Sequence, residues 1–301
     1  MDMPQATSNG EAEQKPSALL RTSHSALSDF LSCPEKFRQS RILKRKETPA
    51  WWSAGGTAVH SVTEEFDRWY LTAPSPEAVE GFSWEGSFKG FFDRQVEETQ
   101  EKTGVATSEW RAAGASNARR VTEDEAFWRA NGPQYAKNWA LWRAQNPQWS
   151  IWGTPSREPA IELEFNLEDF GGAGLRAYVD RVMVNEAGEV AVIDLKAGSS
   201  APDLLDQLLI YAGCMEIEYG VRPTLGAFFN CRKGDKVYLE RLDVEHVTDT
   251  MERVSTFITQ ADAGEYLARP GEQCAFRCGY AAHCSSAQRL TSFWRKKAGL
   301  E

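Results

Sequence analysis

The feature that most limits how this chain can fold is residues 175–198, LRAYVDRVMVNEAGEVAVIDLKAG. Two β-rich runs, LRAYVDRVMV and VAVIDLKA, flank the polar segment Asn185-Glu186-Ala187-Gly188, and the whole predicts a β-hairpin. Side chains alternate between the faces of a strand. Asp194 and Lys196 therefore share one face of the second strand, Ile193 and Leu195 the other, with Asp180 across from them on the first strand. Two carboxylates and an ammonium on an otherwise apolar sheet are costly to bury unless they pair or hold a metal ion. Mg²⁺ takes oxygen ligands, commonly one or two carboxylates with water and substrate phosphate, and a neighbouring lysine can steady a nucleophilic water or the charge developing on phosphorus. The chemistry implied is phosphodiester hydrolysis. A D-x-K pattern alone also matches a surface hairpin with a structural Asp–Lys pair, so the reading needs support from elsewhere in the chain.

At 301 residues the chain suffices for one large domain or two small ones, and 42% hydrophobic with 26% charged residues is ordinary globular usage. A net charge of −9 argues against a broadly basic DNA-coating protein but leaves room for a local basic groove. No apolar run approaches the length of a bilayer span, and the N-terminal MDMPQATSNGEAEQKPS lacks the pattern of a signal peptide. The expectation is a cytoplasmic protein without membrane contact, whose six cysteines serve as ligands or buried thiols rather than disulfides. Residues 1–18 read as a disordered tail and 19–301 as a single domain, with a helical insertion over 73–155 and a cysteine loop over 270–290.

Along the chain, SALSDFLSCPEKF predicts a short helix capped by Ser25 or Ser28 and carrying Leu27, Phe30 and Leu31, with Cys33-Pro34 directly after it. The densest basic run follows, with Arg38, Arg41, Lys44, Arg45 and Lys46; it is either a solvated helix face or a phosphate contact. Gly55-Gly56-Thr57-Ala58-Val59 leads into a helix on which His60 and Glu64 lie four apart on one face, as a metal-binding pair or with His60 as a structural hydrogen-bonding residue. The insertion carries turn signals at Pro74, Gly104 and Gly132-Pro133. Its Tyr135, Trp139 and Trp142 recur at helical spacing and are expected to face a core. Ile161, Leu163 and Phe165 alternate with Glu162 and Glu164 in a half-buried strand, where either glutamate is an additional metal ligand or, by default, a solvent-facing charge. A helix over 203–220 sets Gln207 and Tyr211 one turn apart, TLGAFFNC and KVYLERL read as a second hairpin across Lys233-Gly234-Asp235, and a helix runs from about 247 to 266.

Cys274, Cys278 and Cys284 form C-x3-C-x5-C in PGEQCAFRCGYAAHC, a loop too polar to pack by itself. Metal ligation explains such a loop. Three close cysteines need a fourth ligand for a tetrahedral zinc site or a cubane cluster, and Cys33 is the best distant candidate; Cys214 and Cys231 lie in apolar contexts and are expected to be buried. The rival reading is a set of ordinary free thiols.

Taken together, S-x-L-x-x-F-x-x-C-P around Cys33, G-x-x-x-H at Gly56 to His60, V-D-R-V at Asp180, I-D-L-K-A-G at Asp194 to Lys196, Q-x-x-x-Y at Gln207 to Tyr211 and the terminal cysteine triplet resemble the RecB-like branch of the PD-(D/E)XK nuclease superfamily. The likeness is greatest to its iron–sulfur exonucleases, including CRISPR-associated and phage-encoded ones. The resemblance implies an α/β fold of restriction-endonuclease type, a central mixed β-sheet flanked by helices. It implies that His60, Asp180 and Asp194 contact a catalytic Mg²⁺ or Mn²⁺, that Lys196 positions the attacking water, and that Gln207 and Tyr211 organise the site. It also implies that Cys33, Cys274, Cys278 and Cys284 hold a [4Fe–4S] cluster tying the two ends of the domain together. The x3 spacing between Cys274 and Cys278, where the family usually has x2, leaves zinc, or His283 as a substitute ligand, open. The expected function is metal-dependent DNA exonuclease activity in recombination, repair or phage DNA processing, on DNA with accessible single-stranded ends. Arg38, Arg41, Lys44 and Arg45 are then the expected DNA contacts. No Walker motif is present, so a helicase or recombinase would be a separate partner. The alternatives are a non-catalytic DNA-binding accessory protein, or a spacer-acquisition subunit, built on the same fold.

Overall fold

The computed structural model describes residues 21–72, 75–113, 121–170, 173–199, 202, 204–234, 237–276, 278–297 and 300. The tail read over 1–18 and the turn signal at Pro74 lie outside them. The chain runs β1 (Arg21–Thr22), α1 (His24–Ser32), α2 (Pro34–Phe37), a π-helical turn (Arg38–Ile42), α3 (Trp51–Tyr70), α4 (Pro76–Gly81), α5 (Trp84–Thr103) and α6 (Glu125–Gln145). Four strands and a helix follow as β2 (Trp149–Ile151), β3 (Ile161–Phe170), β4 (Ala173–Asn185), β5 (Val190–Lys196) and α7 (Asp206–Tyr219). The chain ends with β6 (Leu225–Asn230), β7 (Glu240–Arg241), α8 (Val244–Asp262), α9 (Gln273–Phe276) and α10 (Ser292–Lys297).

The hairpin at 175–198 is the axis of the sheet. β4 pairs antiparallel with β5 from Arg181↔Ile193 to Val184↔Val190, and along its opposite edge with β3 and β2. β1 adds a parallel pair at the start of β4. Beyond β5 the sheet continues through parallel β6 and antiparallel β7, so it is mixed. The parallel β5–β6 step requires a crossover, and α7 supplies it.

Period-two alternation divides two cores across this sheet. Val182 and Val192 pack with Leu27 and Phe30 of α1, Leu208 and Tyr211 of α7 and Val254 and Phe257 of α8. Met183, Ile193, Leu195 and Phe229 pack on the other face against Val59 and Phe66 of α3, Phe88 and Phe92 of α5 and Trp139 of α6. The tryptophan-rich helices thus build the whole second layer, and Tyr135 and Trp139 are buried as their spacing predicts.

Several local readings are corrected. The cap of α1 is Ser23, whose hydroxyl accepts from the Ala26 N–H, so the helix begins ahead of Ser25 and leaves Leu31 40% exposed. Gly132-Pro133 does not mark a turn but lies inside α6, and Gly55-Gly56 does not lead into α3 but lies within it, the helix starting at Trp51. The reason is close packing. A Cβ on Gly55 would stand 2.0 Å from Cδ2 of Trp128, and one on Gly132 2.0 Å from Cζ of Phe88. Gly104 and Gly220 do end helices, in left-handed backbone with φ of 73° and 65°. In the second hairpin the pairs among the described residues are Leu225↔Arg241 and Gly226↔Glu240, so β7 is short.

Candidate active site

Where β4 and β5 part beyond the Arg181↔Ile193 pair, the backbone N–H of Leu195 donates to Asp180 Oδ2 at 2.6 Å. This bond fixes one oxygen of the carboxylate. Its other oxygen lies 3.4 Å from Nδ1 of His60, carried by α3. Glu162, on β3, completes the group: ligand atoms of His60, Glu162 and Asp180 all lie within 4.8 Å of one another, and among the described residues this is the one such group of three or more. Two hard carboxylates and an imidazole are a donor set suited to Mg²⁺ or Mn²⁺.

Asp194 lies beside this group, close enough for Asp180 to act on its charge. Its Oδ2, buried and without a hydrogen-bond partner among the described residues, forms an ion pair with Lys196 Nζ at 2.6 Å, and its Oδ1 accepts from the Tyr211 hydroxyl at 3.3 Å. Lys196 also donates to Gln207 Oε1 at 2.8 Å, and Gln207 Nε2 donates to Tyr211 Oη at 2.6 Å. The helical i, i+4 pair and the strand i, i+2 pair therefore close into one polar ring of three hydrogen bonds and the Lys196–Asp194 ion pair. Glu64 also departs from the sequence reading, because it pairs with Arg68 at 2.9 Å one turn further along α3. Glu164 is exposed and engaged by Arg176 and Tyr178, which leaves Glu162 as the glutamate facing the site. Glu162 holds a φ of 50°, a left-handed backbone that costs a non-glycine residue about 1–3 kcal/mol.

Behind the ligands stands a buried network that sequence reasoning missed. Asp67 is fully buried and accepts from Arg181 Nε at 2.5 Å and Trp139 Nε1 at 2.7 Å, with Arg143 Nε at 3.4 Å. Arg181 reaches on to Glu162 Oε1 at 3.2 Å and the carbonyl of Asp180 at 2.5 Å. A charge set of this kind is tolerable only when each member is paired. The one sequence signal for it was Arg181 itself, a charge adjoining Asp180 in an otherwise apolar strand.

The packing separates the charges of the site. Burial opposes the charged imidazole of His60, but the adjoining Asp180 outweighs it and lifts the ring to about 9. For Asp180, burial is likewise overcome, by His60 and then the Leu195 N–H, and the carboxyl is held below its ordinary value. Burial and the nearby Asp180 raise Asp194 to about 6 and Glu162 to about 7, against Lys196 in the first case and Arg181 in the second. A divalent cation would relieve this excess of negative charge.

Cys33, Cys274 and Cys278 line a cavity of 360 Å³ with Asp29, Lys36 and Arg269, while Cys214 and Cys231 are fully buried in the two cores. Cys33 Sγ accepts from the Arg269 N–H at 3.4 Å, which brings the chain before the cysteine triplet onto α1. Cys284 is near enough to Cys274 to raise its thiol, after burial, and Cys33 and Cys274 do the same to Cys278, at about 11. Among the described residues no three of these sulfurs lie within 4.8 Å of one another. In the basic run Arg38 pairs with Glu35 and Arg41 donates to Ser25, while Lys44 and Arg45 are exposed.

A mixed sheet with carboxylates and a lysine gathered where β4 and β5 part is an arrangement suited to hydrolysis at a phosphate. The profile of the PD-(D/E)XK nuclease superfamily matches residues 21–285, and the chain belongs to that superfamily. It is 31% identical over 283 residues to the Gene 69 protein of Mycobacterium phage D29, covering 86% of this chain and 94% of that one. To the Gene 69 protein of Mycobacterium phage L5 it is 29% identical over 296 residues, covering 84% and 92%. A crystal structure of a provisionally named exonuclease from Eubacterium rectale aligns over 99% of this chain and 100% of that one, with a TM-score of 0.44 and 12% identity. Among the described residues no helix is long and apolar enough to cross a membrane.

Proposed function

We propose that the protein is a Mg²⁺- or Mn²⁺-dependent DNA exonuclease that acts at accessible single-stranded ends. The observation that carries this reading is the convergence of His60, Glu162 and Asp180 next to the Lys196–Asp194 pair. A divalent ion bound there supplies Lewis acidity toward the scissile phosphate and a more acidic water. The chain's own groups do the rest. Asp180, Asp194, Glu162 and His60 would present the ligand atoms, and Asp194 and Gln207 also hold the ammonium of Lys196 between them. From there Lys196 orients the attacking water and neutralises charge that grows on the phosphoryl oxygens as the new P–O bond forms and the old one breaks. Tyr211 fixes Asp194 and Gln207 relative to each other.

Cys33, Cys274, Cys278 and Cys284 would hold a [4Fe–4S] cluster, and Lys44 and Arg45, with Arg38 and Arg41 behind them, would meet DNA phosphates. The likeness to phage proteins favours phage DNA processing or recombination, with any helicase supplied by another chain. A binding-only protein on this fold would not need Lys196 held by two partners at the site, which favours the enzyme.

Purified variants assayed on labelled DNA test the reading. Asp194→Ala should abolish hydrolysis while DNA binding survives. Lys196→Ala should lower kcat by about a hundredfold or more with metal affinity little changed, the scale of losing a positioned electrostatic group. Wild-type turnover in both would refute it.

A further inference from the structure

Beside the polar ring around Lys196 lies a cavity of 520 Å³ between α1 and the start of α7. Its walls are divided by chemistry. His24, Ser28, Lys196 and Gln207 form a polar side, and Leu27, Leu31 and Leu204 an apolar one. Leu31 is 40% and Leu204 65% exposed, large apolar chains left to water beside a charged centre. Asp206, also on the wall, is ion-paired with Arg253 at 3.2 Å, so its charge is partly offset.

We propose that this cavity seats the terminal nucleotide of a single DNA strand; the inference rests on the nuclease reading above. Continuity locates the ligand, because Lys196 and Gln207 belong to the cavity and to the catalytic ring alike, so an occupant lies against the reacting phosphate. Chemistry matches it, since a nucleotide has a polar phosphate and sugar and an apolar base face. His24 and Ser28 offer hydrogen bonds to the former, and Leu31 and Leu204 cover the latter. Size restricts it. The volume lies in the range of small-ligand pockets, about 300–1,000 Å³, a size matched to one nucleotide. His24, Leu31 and Leu204 are thus binding residues that set a preference for unpaired ends.

The test is steady-state hydrolysis, by full-length protein in Mn²⁺, of a labelled single-stranded oligonucleotide and of the same strand lacking its terminal base. Wild type should show a KM about tenfold lower for the intact end, equal to about 1.4 kcal/mol. Leu31→Glu and Leu204→Glu, at exposed positions, should raise KM for the intact strand about tenfold with kcat within twofold, and His24→Ala should do the same. All three should erase the difference between intact and abasic ends. Wild-type hydrolysis with the same KM for both ends, or with KM unchanged in every variant, overturns the inference and leaves the nuclease reading standing. A wild-type protein that hydrolyses neither single- nor double-stranded DNA overturns both.

Discussion

His60 gives the site its clearest pH signature. Burial opposes its charge and Asp180 more than compensates, so the folded ring titrates near 9 against about 6.5 when unfolded. A folded value above the unfolded one means that the stabilisation is complete below about pH 6.5 and is lost as pH rises through 9. Glu162 and Asp194, raised to about 7 and 6, also lower stability as pH rises, but at lower pH, and His24, depressed to about 4 by burial and Lys196, acts in the opposite direction below 6.5. The interval from pH 7 to 8 is therefore dominated by His60, because the thiols of Cys214, Cys231, Cys274 and Cys278, pushed up by burial, lower stability only as pH nears 9. Denaturant unfolding in EDTA should show the wild type losing about 1 kcal/mol more than His60→Gln across it. Parallel curves for the two proteins would contradict the assignment. A ligating imidazole must be neutral, so apparent Mg²⁺ or Mn²⁺ affinity should rise with pH over the same interval.

At the scale of elements, the site depends on how closely α3 and α6 approach. Gly55 lets the Trp128 ring lie on α3, and Asp67 of the same helix gathers Trp139, Arg143 and Arg181 behind Glu162 and Asp180. Gly55→Ala should cost about 1–3 kcal/mol by overpacking. Gly56→Ala, with nothing within 4 Å of the added carbon, should be neutral or stabilise by up to about 1 kcal/mol. Thermal unfolding of the two variants reads the contrast directly, and equal effects would mean that the helices are not held at this contact.

For the whole molecule, the cysteine cavity joins segments separated by about 240 residues, and cross-linking them restricts the unfolded chain strongly. Arg269 already reaches back to Leu31 and Cys33. Anaerobically purified protein should be brown with about four irons per chain. Cys278→Ala should lose colour and thermal stability before it loses chemistry. A colourless protein with one zinc would overturn the cluster, and unchanged stability would remove its structural role.

How much of this was legible beforehand follows from what is local. The hairpin, the pairing of Asp194 with Lys196 and that of Gln207 with Tyr211 were all readable, because strand and helix periods place residues two or four apart without reference to the rest of the chain. Glu162 and Glu164 look alike in sequence; only the pairing of β3 with β4 and the bend at Glu162 turn one toward His60 and the other to solvent. Gly132 reads as a turn residue and Gly55 as the lead into a helix, since a glycine required by a distant aromatic ring carries no local mark. Asp67 was silent for the same reason, as its partners lie 72 and 114 positions away on α6 and β4. By itself the sequence determined the central hairpin, the main helices and the chemical types of the reactive groups. The tertiary structure alone decided which carboxylates share a site, because that choice depends on distances between separate elements, which no local period encodes.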